Sequence, residues 1–232
     1  DPDGATPIAY LWARTIKCES PNCGAEIPLM RSFWLCKKTN RKRALKLKVT
    51  RRQVGHPLVE FEIFTPETDN DVCGGTVTRA KVTCPCCHSV LPPERVRTQL
   101  SEHQGGADVV FDEHGNRIGG GRLYAVVTIY PGMQGRNYRL PCEMDYHAVW
   151  KAKSRIDSIL TQWTQGDKRI ICPIPDEPMP EERKKGSSGF RVLLYGLKRF
   201  GDLFTSRQKA ALVDLSNLFK LNQDYSDSLR LL

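Results

Sequence analysis

Short apolar runs that are rich in β-branched residues fill the first 130 positions of the chain and predict β-strands. Residues 8–17 form the longest such run and favour a strand, with a helix as the alternative for the first half. Four further strands are predicted at residues 44–50, 58–64, 75–83 and 123–130.

Two glycine-containing segments predict the connections near the end of this β-rich part. Residues 109–118 predict a hairpin that turns at 113–116, because Gly115 and Asn116 tolerate the positive φ of such a turn. The glycines at 119–121 predict a flexible connection into the next strand.

Helical periodicity begins only after residue 140. Apolar side chains recur at spacings of three, four and seven and predict a helix over 143–163 with one apolar face. That face consists of Tyr146, Val149, Ile156, Leu160 and Trp163. A second helix is predicted after Thr205, since Thr205 and Gln208 have the spacing of a capping box. Its predicted apolar face consists of Leu212, Leu215, Leu218 and Phe219.

The composition is that of a globular protein, with 40% apolar and 26% charged residues. No apolar run approaches the roughly 18 residues of a membrane span, and the acidic, polar N-terminus does not resemble a secretory signal. We therefore expect a cytoplasmic protein without a membrane partner. In a reducing compartment, an odd total of nine cysteines favours metal binding over a disulfide framework.

Two short-spaced groups of cysteines give the strongest chemical signal in the sequence. Cys18 and Cys23 form one pair, and residues 84–87, Cys-Pro-Cys-Cys, supply the other. Each pair follows a predicted strand, and four thiolates make a closed tetrahedral site for a structural metal ion. We predict a structural Zn²⁺ bound by Cys18, Cys23, Cys84 and Cys87.

The spacing leaves some alternatives open at this site. It does not distinguish zinc from iron, and a neighbouring side chain could replace one of the four ligands. The candidates for such a replacement are Cys86, His88 and Cys73. The remaining cysteines have no partner at ligand spacing and are typical of small buried hydrophobic residues.

A disulfide oxidoreductase is the competing interpretation of the second cysteine group, with Cys84 and Cys87 as its active thiols. In such enzymes the N-terminus of a helix lowers the pKa of the first thiol, so a helix would have to begin inside the motif. Pro92 and Pro93 would end that helix after a few residues. This interpretation also leaves the first cysteine pair without a role, so we favour the metal site.

Together these features predict an α+β chain, antiparallel and β-rich in its N-terminal two-thirds, with helices at its C-terminal end. The zinc-ribbon region spans residues 1–130 and includes a basic insert at about 31–56. A helix follows at 141–165, and then a linker rich in Pro and Gly at 172–189. The chain closes with a strand-and-helix segment at 190–232.

Positive charge is concentrated in one stretch of the sequence. Residues 27–59 hold ten Lys and Arg residues and no Asp or Glu, while the whole chain has a net charge of +9. Such a block is typical of a polyanion binder, because each neutralised phosphate releases counterions. A solvated face that only keeps the protein soluble is the alternative.

We predict nucleic-acid contacts from this block, with phosphates as the main partners of its side chains. Arginine can also pair bidentately with guanine, which makes Arg14 and Arg31 the candidates for more specific contacts. The full predicted set is Arg14, Arg31, Lys37, Lys38, Arg41, Lys42, Arg43, Lys46, Lys48, Arg51 and Arg52.

Several of these segments resemble a known family. IAYLWARTIKC at residues 8–18 and CGAEIPLMRSFWL at 23–35 resemble a segment of adenine-specific DNA methylases that carry a zinc ribbon. The similarity resumes at 84–87, at GRLYAVV (121–127) and at YGLKRFGDLFTSRQ (195–208), with the order kept. The resemblance implies that this region lies between the cofactor-binding and catalytic halves of a larger methyltransferase that uses S-adenosylmethionine.

The chain departs from that family in the motifs that carry catalysis. It lacks the Asp/Asn-Pro-Pro-Tyr/Phe tetrapeptide, which holds the target amine of a flipped base, and it lacks the glycine-rich cofactor loop. The resemblance therefore implies no catalytic residues here, and S-adenosylmethionine is bound only by the parent enzyme.

From these observations we expect a zinc-stabilised segment that contacts DNA beside the catalytic halves of the methyltransferase or beside a partner subunit. The alternative is a zinc-bound protein-interaction module that binds no nucleic acid. In that case its lysines would only be solvated.

Overall fold

The computed structural model describes the chain except for residues 2, 53, 103–107, 167–170, 181–190 and 230–232. The chain is α+β, as predicted, with antiparallel sheets in its N-terminal part and two long helices in its C-terminal part. Its internal contacts define two compact units. The first unit is Asp1–Gln104 with Gly119–Cys142, and the second is Gly105–Ile118 with Glu143–Leu232.

The strands and helices are numbered in the order in which they follow one another along the chain. The strands are β1 (Thr6–Lys17), β2 (Glu26–Pro28), β3 (Trp34–Cys36), β4 (Arg43–Thr50), β5 (Leu58–Phe64), β6 (Val77–Thr78), β7 (Lys81–Thr83), β8 (Val90–Leu91), β9 (Val109–Phe111), β10 (Arg117–Ile129) and β11 (Asn137–Arg139). The α-helices are α1 (Pro93–Glu102), α2 (Glu143–Gln165) and α3 (Ser206–Leu229). None of the described helices has the length and apolar character to cross a membrane.

The first unit holds three antiparallel sheets, with strand orders β11-β10-β1-β2, β3-β4-β5 and β6-β7-β8. Strand β1 pairs first with β10 and then, over its last three residues, with β2. The predicted strand at 8–17 is therefore confirmed, and the helical alternative for its first half is wrong. The end of β1 is deeply buried, with Ile16 paired to Ile27 and both side chains almost fully covered.

The glycines at 119–121 lie within β10, so the prediction of a flexible connection is wrong. Gly120 has a φ of +71°, and its carbonyl oxygen accepts a hydrogen bond from Thr15 Oγ1 at 3.0 Å. Gly121 stands opposite Arg14 in the ladder. Of the three, Gly120 is the one whose positive φ favours glycine.

The β4–β5 hairpin matches its two predicted strands, and its register is continuous from Ala44↔Phe64 to Thr50↔Leu58. Alternation places Leu45, Leu47 and their partners on one face. That face packs against a small core that includes Met30 and Phe33. The opposite face carries the alternating polar positions, as expected of a half-solvated antiparallel pair.

Residues 75–83 were predicted as one strand, but they form the β6–β7 hairpin. The chain turns at Arg79 and Ala80, whose φ angles are +49° and +66°. Two positive φ angles are typical of the tight turn that joins two antiparallel strands. Neither residue type normally indicates such a turn, so the sequence pattern gave no sign of it.

Helix α1 was not predicted, because Pro92 and Pro93 were interpreted only as helix-ending residues. Pro93 instead occupies the first position of α1, where its missing N–H costs nothing and its fixed φ suits the helix. The helix lies beside the end of β1. Gln99 exchanges two hydrogen bonds with the backbone of Lys17, at 2.7 and 2.9 Å.

The second unit contains the predicted hairpin and both long helices. In the turn of the hairpin, Asp112 accepts hydrogen bonds from the backbone N–H groups of His114 and Asn116, at 2.9 and 2.8 Å. Gly115 takes the predicted positive φ, at +82°. Helix α2 confirms the helix predicted over 143–163, and its buried residues include Val149 and Ile156.

The capping box at the start of α3 is present. The Thr205 N–H donates to Gln208 Oε1 at 2.9 Å, and the Gln208 N–H donates to Thr205 Oγ1 at 3.4 Å. The predicted apolar face is wrong, because the helix buries Ala210 and Val213 instead. All four residues of the predicted face are exposed, namely Leu212, Leu215, Leu218 and Phe219.

The segments before α3 are irregular. Residues 191–195 form a 3-10 helix, where the sequence analysis allowed a strand. Of the predicted linker, residues 172–180 form no helix and contribute only an isolated bridge, from Pro178 to Arg199. Residues 181–189 lie outside the described part of the chain.

Candidate metal centre

The two cysteine groups lie on tight turns that each follow a strand of the first unit. Cys18 comes directly after β1, and Cys23 closes the turn five residues later. Cys84 comes directly after β7, and Cys87 lies in the turn that leads to β8. We call residues 18–24 the first knuckle and residues 84–88 the second knuckle.

The fold brings the four predicted thiols together. The Cys18 and Cys87 sulfurs are 3.5 Å apart, the Cys23 and Cys84 sulfurs are 3.7 Å apart, and all four lie within 4.8 Å of one another. A tetrahedral zinc ion with Zn–S bonds of about 2.3 Å separates its sulfurs by about 3.8 Å. The four cysteines could therefore hold a metal ion, and their spacing fits a zinc module.

Backbone hydrogen bonds fix the shape of both knuckles. The Cys18 N–H donates to the Ala25 carbonyl at 2.9 Å, and the Cys84 N–H donates to the Ser89 carbonyl at 2.9 Å. Each knuckle ends in a left-handed residue that directly follows its second ligand. That residue is Gly24, at φ +61°, in the first knuckle and His88, at φ +62°, in the second. His88 thus occupies a backbone position that favours glycine.

The possible replacement ligands do not join the four-sulfur cluster. Among the described residues, the group of side chains close enough to hold a metal contains none of Cys86, His88 and Cys73. Burial raises the pKa of the Cys86 thiol to about 12. Its backbone N–H instead donates to the Cys84 sulfur at 3.4 Å, as in many thiolate metal sites where amides support the ligands.

Cys18, Cys23 and Cys87 differ from an ordinary thiol in how readily they lose a proton. Burial raises the pKa of Cys18 and of Cys23 above the ordinary thiol value. Hydrogen bonding to Ser89, whose Oγ lies 3.3 Å from the sulfur, holds the pKa of Cys87 at about 6. A metal ion therefore meets one ready thiolate and displaces protons from the buried thiols.

The disulfide-oxidoreductase interpretation lacks the helix that it needs. Residues 84–87 form turn structure, and the next helix of the described chain, α1, begins only at Pro93. No described helix therefore begins inside the cysteine motif. The first cysteine pair, which that interpretation left unexplained, lies within sulfur contact of the second.

The basic block is less uniform in the structure than in the sequence. Lys42 forms an ion pair with Asp69 at 3.3 Å, and Arg43 donates to Thr65 Oγ1 at 2.8 Å. Both side chains are half-buried. Lys37 lies over the ring of Trp34, with its Nζ 5.2 Å from the ring centroid. Two of the ten cations are therefore already engaged by polar partners within the fold.

The lysines of β4 stand opposite glutamates of β5. Lys46 pairs in register with Glu62, and Lys48 pairs with Glu60. Directly opposite charges on neighbouring strands compensate each other. These glutamates follow the acid-free stretch immediately in sequence, so only the register of the hairpin shows that they oppose the lysines.

Arg14, predicted as a contact to guanine, has a hydrogen-bond partner inside the fold. Its Nη2 donates to the Leu100 carbonyl at 2.9 Å, at the end of α1, and the side chain is half-buried. Arg31 is exposed, as are Arg51 and Arg52 at the tip of the β4–β5 hairpin. These exposed arginines stay in the predicted set of nucleic-acid contacts.

His56 was missed by the sequence analysis, and it connects the hairpin tip to the first knuckle. Its Nδ1 lies 3.2 Å from the Cys23 carbonyl oxygen. The imidazole ring also fills the space next to Gly24, where a Cβ atom would come within 2.2 Å of the ring. A lone histidine in a loop gives no sequence signal for this contact.

We compared the chain with protein-family models, curated proteins and solved structures, and found no match in any of the three.

Proposed function

We propose that this chain is a zinc-stabilised, DNA-contacting segment of a DNA adenine methyltransferase that uses S-adenosylmethionine. The observation that carries the proposal is the contact between a basic β-hairpin and a four-cysteine cluster. His56 of the hairpin tip lies on the first knuckle, next to the ligand Cys23.

The metal would have a structural role. Four thiolates complete the coordination shell of zinc and leave no position for a substrate or water. Cys23 and Cys84 are 61 residues apart in sequence, and the whole β4–β5 hairpin lies between them. Joining the two knuckles therefore closes a long loop that small sheets would otherwise hold only weakly.

The exposed cations of the hairpin would contact DNA phosphates. Such contacts supply affinity and register but little sequence information. The exposed members of the basic block are Arg31, Lys37, Lys38, Arg41, Lys46, Lys48, Arg51 and Arg52. They lie before β3, between β3 and β4, on β4 and at the tip of the β4–β5 hairpin.

The methyltransferase part of the proposal rests on the resemblance of five segments to zinc-ribbon methylases. Two of those segments, residues 8–18 and 23–35, contain Cys18 and Cys23, and residues 84–87 contain the other two ligands. The family similarity and the metal cluster thus involve the same residues. Binding of S-adenosylmethionine and transfer of the methyl group would take place in the rest of the parent enzyme.

The test is fluorescence anisotropy with a short labelled DNA duplex over a series of salt concentrations. The parent chain is compared with a variant in which seven cations become Gln, namely Lys37, Lys38, Arg41, Lys42, Arg43, Lys46 and Lys48. We expect the parent to bind with a steep salt slope and the variant to lose both affinity and slope. A zinc content and a circular dichroism spectrum equal to those of the parent show that the variant is folded. Equal affinities would refute the DNA contact.

A protein-interaction module is the second candidate, and one observation favours it. Four apolar side chains of α3 are exposed, and Phe219 is the most open of them, with 69% of its surface accessible. If the charge-neutralised variant binds DNA as weakly as the parent, this candidate is preferred. The exposed face of α3 is then the first surface to mutate.

A further inference from the structure

A polar cleft of about 350 Å³ lies between the two knuckles and the tip of the β4–β5 hairpin. Its size falls at the lower end of the range of small-ligand sites, about 300–1,000 Å³. The wall residues that matter here are Ser20, Asn22, Arg51, Arg52, Cys86 and Cys87. We call this space the knuckle cleft.

The positive charge of the hairpin is concentrated where the knuckle cleft opens. Lys46 and Lys48 stand opposite Glu62 and Glu60 in the ladder, which partly offsets their charge. Residues 49–59 contain no acidic side chain, and this stretch includes both arginines of the tip. None of the described residues that line the cleft is Asp or Glu, although its wall includes Cys87, a thiol with a pKa of about 6. An anion that enters the cleft therefore meets two guanidinium groups that no lining carboxylate offsets.

The donor groups of the cleft suit a phosphate. Each guanidinium presents N–H groups in a planar fork that matches two phosphate oxygens. On the wall formed by the first knuckle, Ser20 and Asn22 add a hydroxyl and an amide, which can donate further hydrogen bonds. Two guanidinium groups together with neutral donors can satisfy several oxygens of one phosphodiester.

The tip that carries the arginines is held in place by the first knuckle. The ring of His56 rests on Gly24, and its Nδ1 is within 3.2 Å of the Cys23 carbonyl. Two walls of the cleft are turns that contain metal ligands. The shape of the cleft therefore depends on the same four thiols that would hold the metal.

We propose that the knuckle cleft binds a phosphate group of the nucleic-acid backbone, with Arg51 and Arg52 as its main contacts. This inference rests on the proposed function and locates the phosphate contact at the hairpin tip rather than along β4. The competing role of the two arginines is to offset the negative charge of a metal-bound tetrathiolate. In that case, their loss would weaken metal binding and leave DNA binding unchanged.

The experiment compares two variants that remove the same charge from the same hairpin. Arg51→Gln/Arg52→Gln alters the tip, and Lys46→Gln/Lys48→Gln alters the paired strand face. We expect the tip variant to lose at least tenfold in affinity for a labelled duplex, with the salt slope reduced by about 2. The strand variant is expected to lose less than threefold. Both variants should keep the zinc content of the parent.

Two results would overturn the proposal. The first is equal loss of affinity in the two variants, because it would mean that only total charge matters. The second is a tip variant that loses zinc but, once reloaded with zinc, binds DNA as tightly as the parent. That result would assign the arginines to the metal centre. Retained zinc together with the tip-specific loss supports the phosphate site.

Inorganic phosphate separates this proposal from the proposed function. Phosphate is titrated into the parent and the tip variant, and binding is followed by ³¹P line broadening. Broadening by the parent alone, without any DNA binding, would support the cleft as a site for free phosphate and refute the DNA function. DNA binding that is lost in the seven-residue variant but kept in the tip variant would refute the cleft and leave the DNA function standing.

Discussion

Cys84 and Cys86 are two residues apart, yet only Cys84 belongs to the four-sulfur cluster. Cys84 is fully buried, and its sulfur is 3.7 Å from that of Cys23. Cys86 lines the knuckle cleft outside the cluster. The variants Cys84→Ser and Cys86→Ser therefore make the same chemical change at neighbouring positions, and we expect opposite effects on metal binding.

The size of the effect follows from the loop that the metal closes. Cross-linking two residues 61 positions apart removes roughly 4 kcal/mol of chain entropy from the unfolded state, if a metal bridge is treated like a disulfide. Loss of the bridge should lower the melting temperature of a domain of this size by on the order of 10 °C. Cys84→Ser should show this loss, whereas Cys86→Ser should melt close to the parent.

Two measurements check this prediction. Metal analysis after dialysis should give one zinc per chain for the parent and for Cys86→Ser, and less for Cys84→Ser. Hydrogen exchange should show lost protection over residues 43–64 in Cys84→Ser, while α2 and α3 stay protected because they carry no ligand. If both variants keep the metal and the melting temperature, the four-sulfur cluster is not a structural metal site.

Three further predictions concern the same centre. His88→Gly should raise the free energy of unfolding by roughly 0.5–1 kcal/mol, because position 88 has a left-handed backbone; an unchanged urea midpoint would contradict this. Gly24→Ala should lower the free energy of unfolding by about 1–3 kcal/mol in the same assay, since the new Cβ would meet His56 and φ is positive. Gly74→Ala, where a Cβ has open space, is the control. Zinc affinity should fall between pH 8 and pH 6 in competition with a chromophoric chelator. The raised pKa of Cys18 and Cys23 keeps both thiols protonated over this whole range, so each must release a proton to bind zinc, which becomes less favourable as the pH falls. A flat profile would argue against thiolate ligands.

The four-cysteine cluster could be predicted from the sequence because its signal is local. Within each knuckle the two cysteines are three to five residues apart, and a tight turn is enough to bring them together. The strands of the β4–β5 hairpin could be predicted for the same reason, since the alternation of apolar and polar residues is visible within a few positions. The capping box before α3 is a third pattern of this short range.

The errors arose where the structure depends on distant partners. The glycines at 119–121 became part of a strand because β1 lies beside them, as the hydrogen bond from Thr15 shows. Lys46 and Lys48 stand opposite glutamates because of the register of the hairpin, and counting charges along the sequence does not show that register. His56 contacts Cys23 of the first knuckle, which lies 33 positions earlier in the sequence. Each of these contacts is decided by tertiary structure rather than by local propensity.

The wide separation of the two knuckles also has a consequence during protein synthesis. A ribosome that adds about 5–20 residues per second needs roughly 3–12 s to pass from Cys23 to Cys84, which lies 61 residues later. Throughout that interval the nascent chain offers only two of the four thiols of the cluster, which cannot complete a tetrahedral shell. The hairpin thus emerges before an ion at its base could be coordinated by all four thiols, and metal loading can be completed only after the second knuckle has been synthesised.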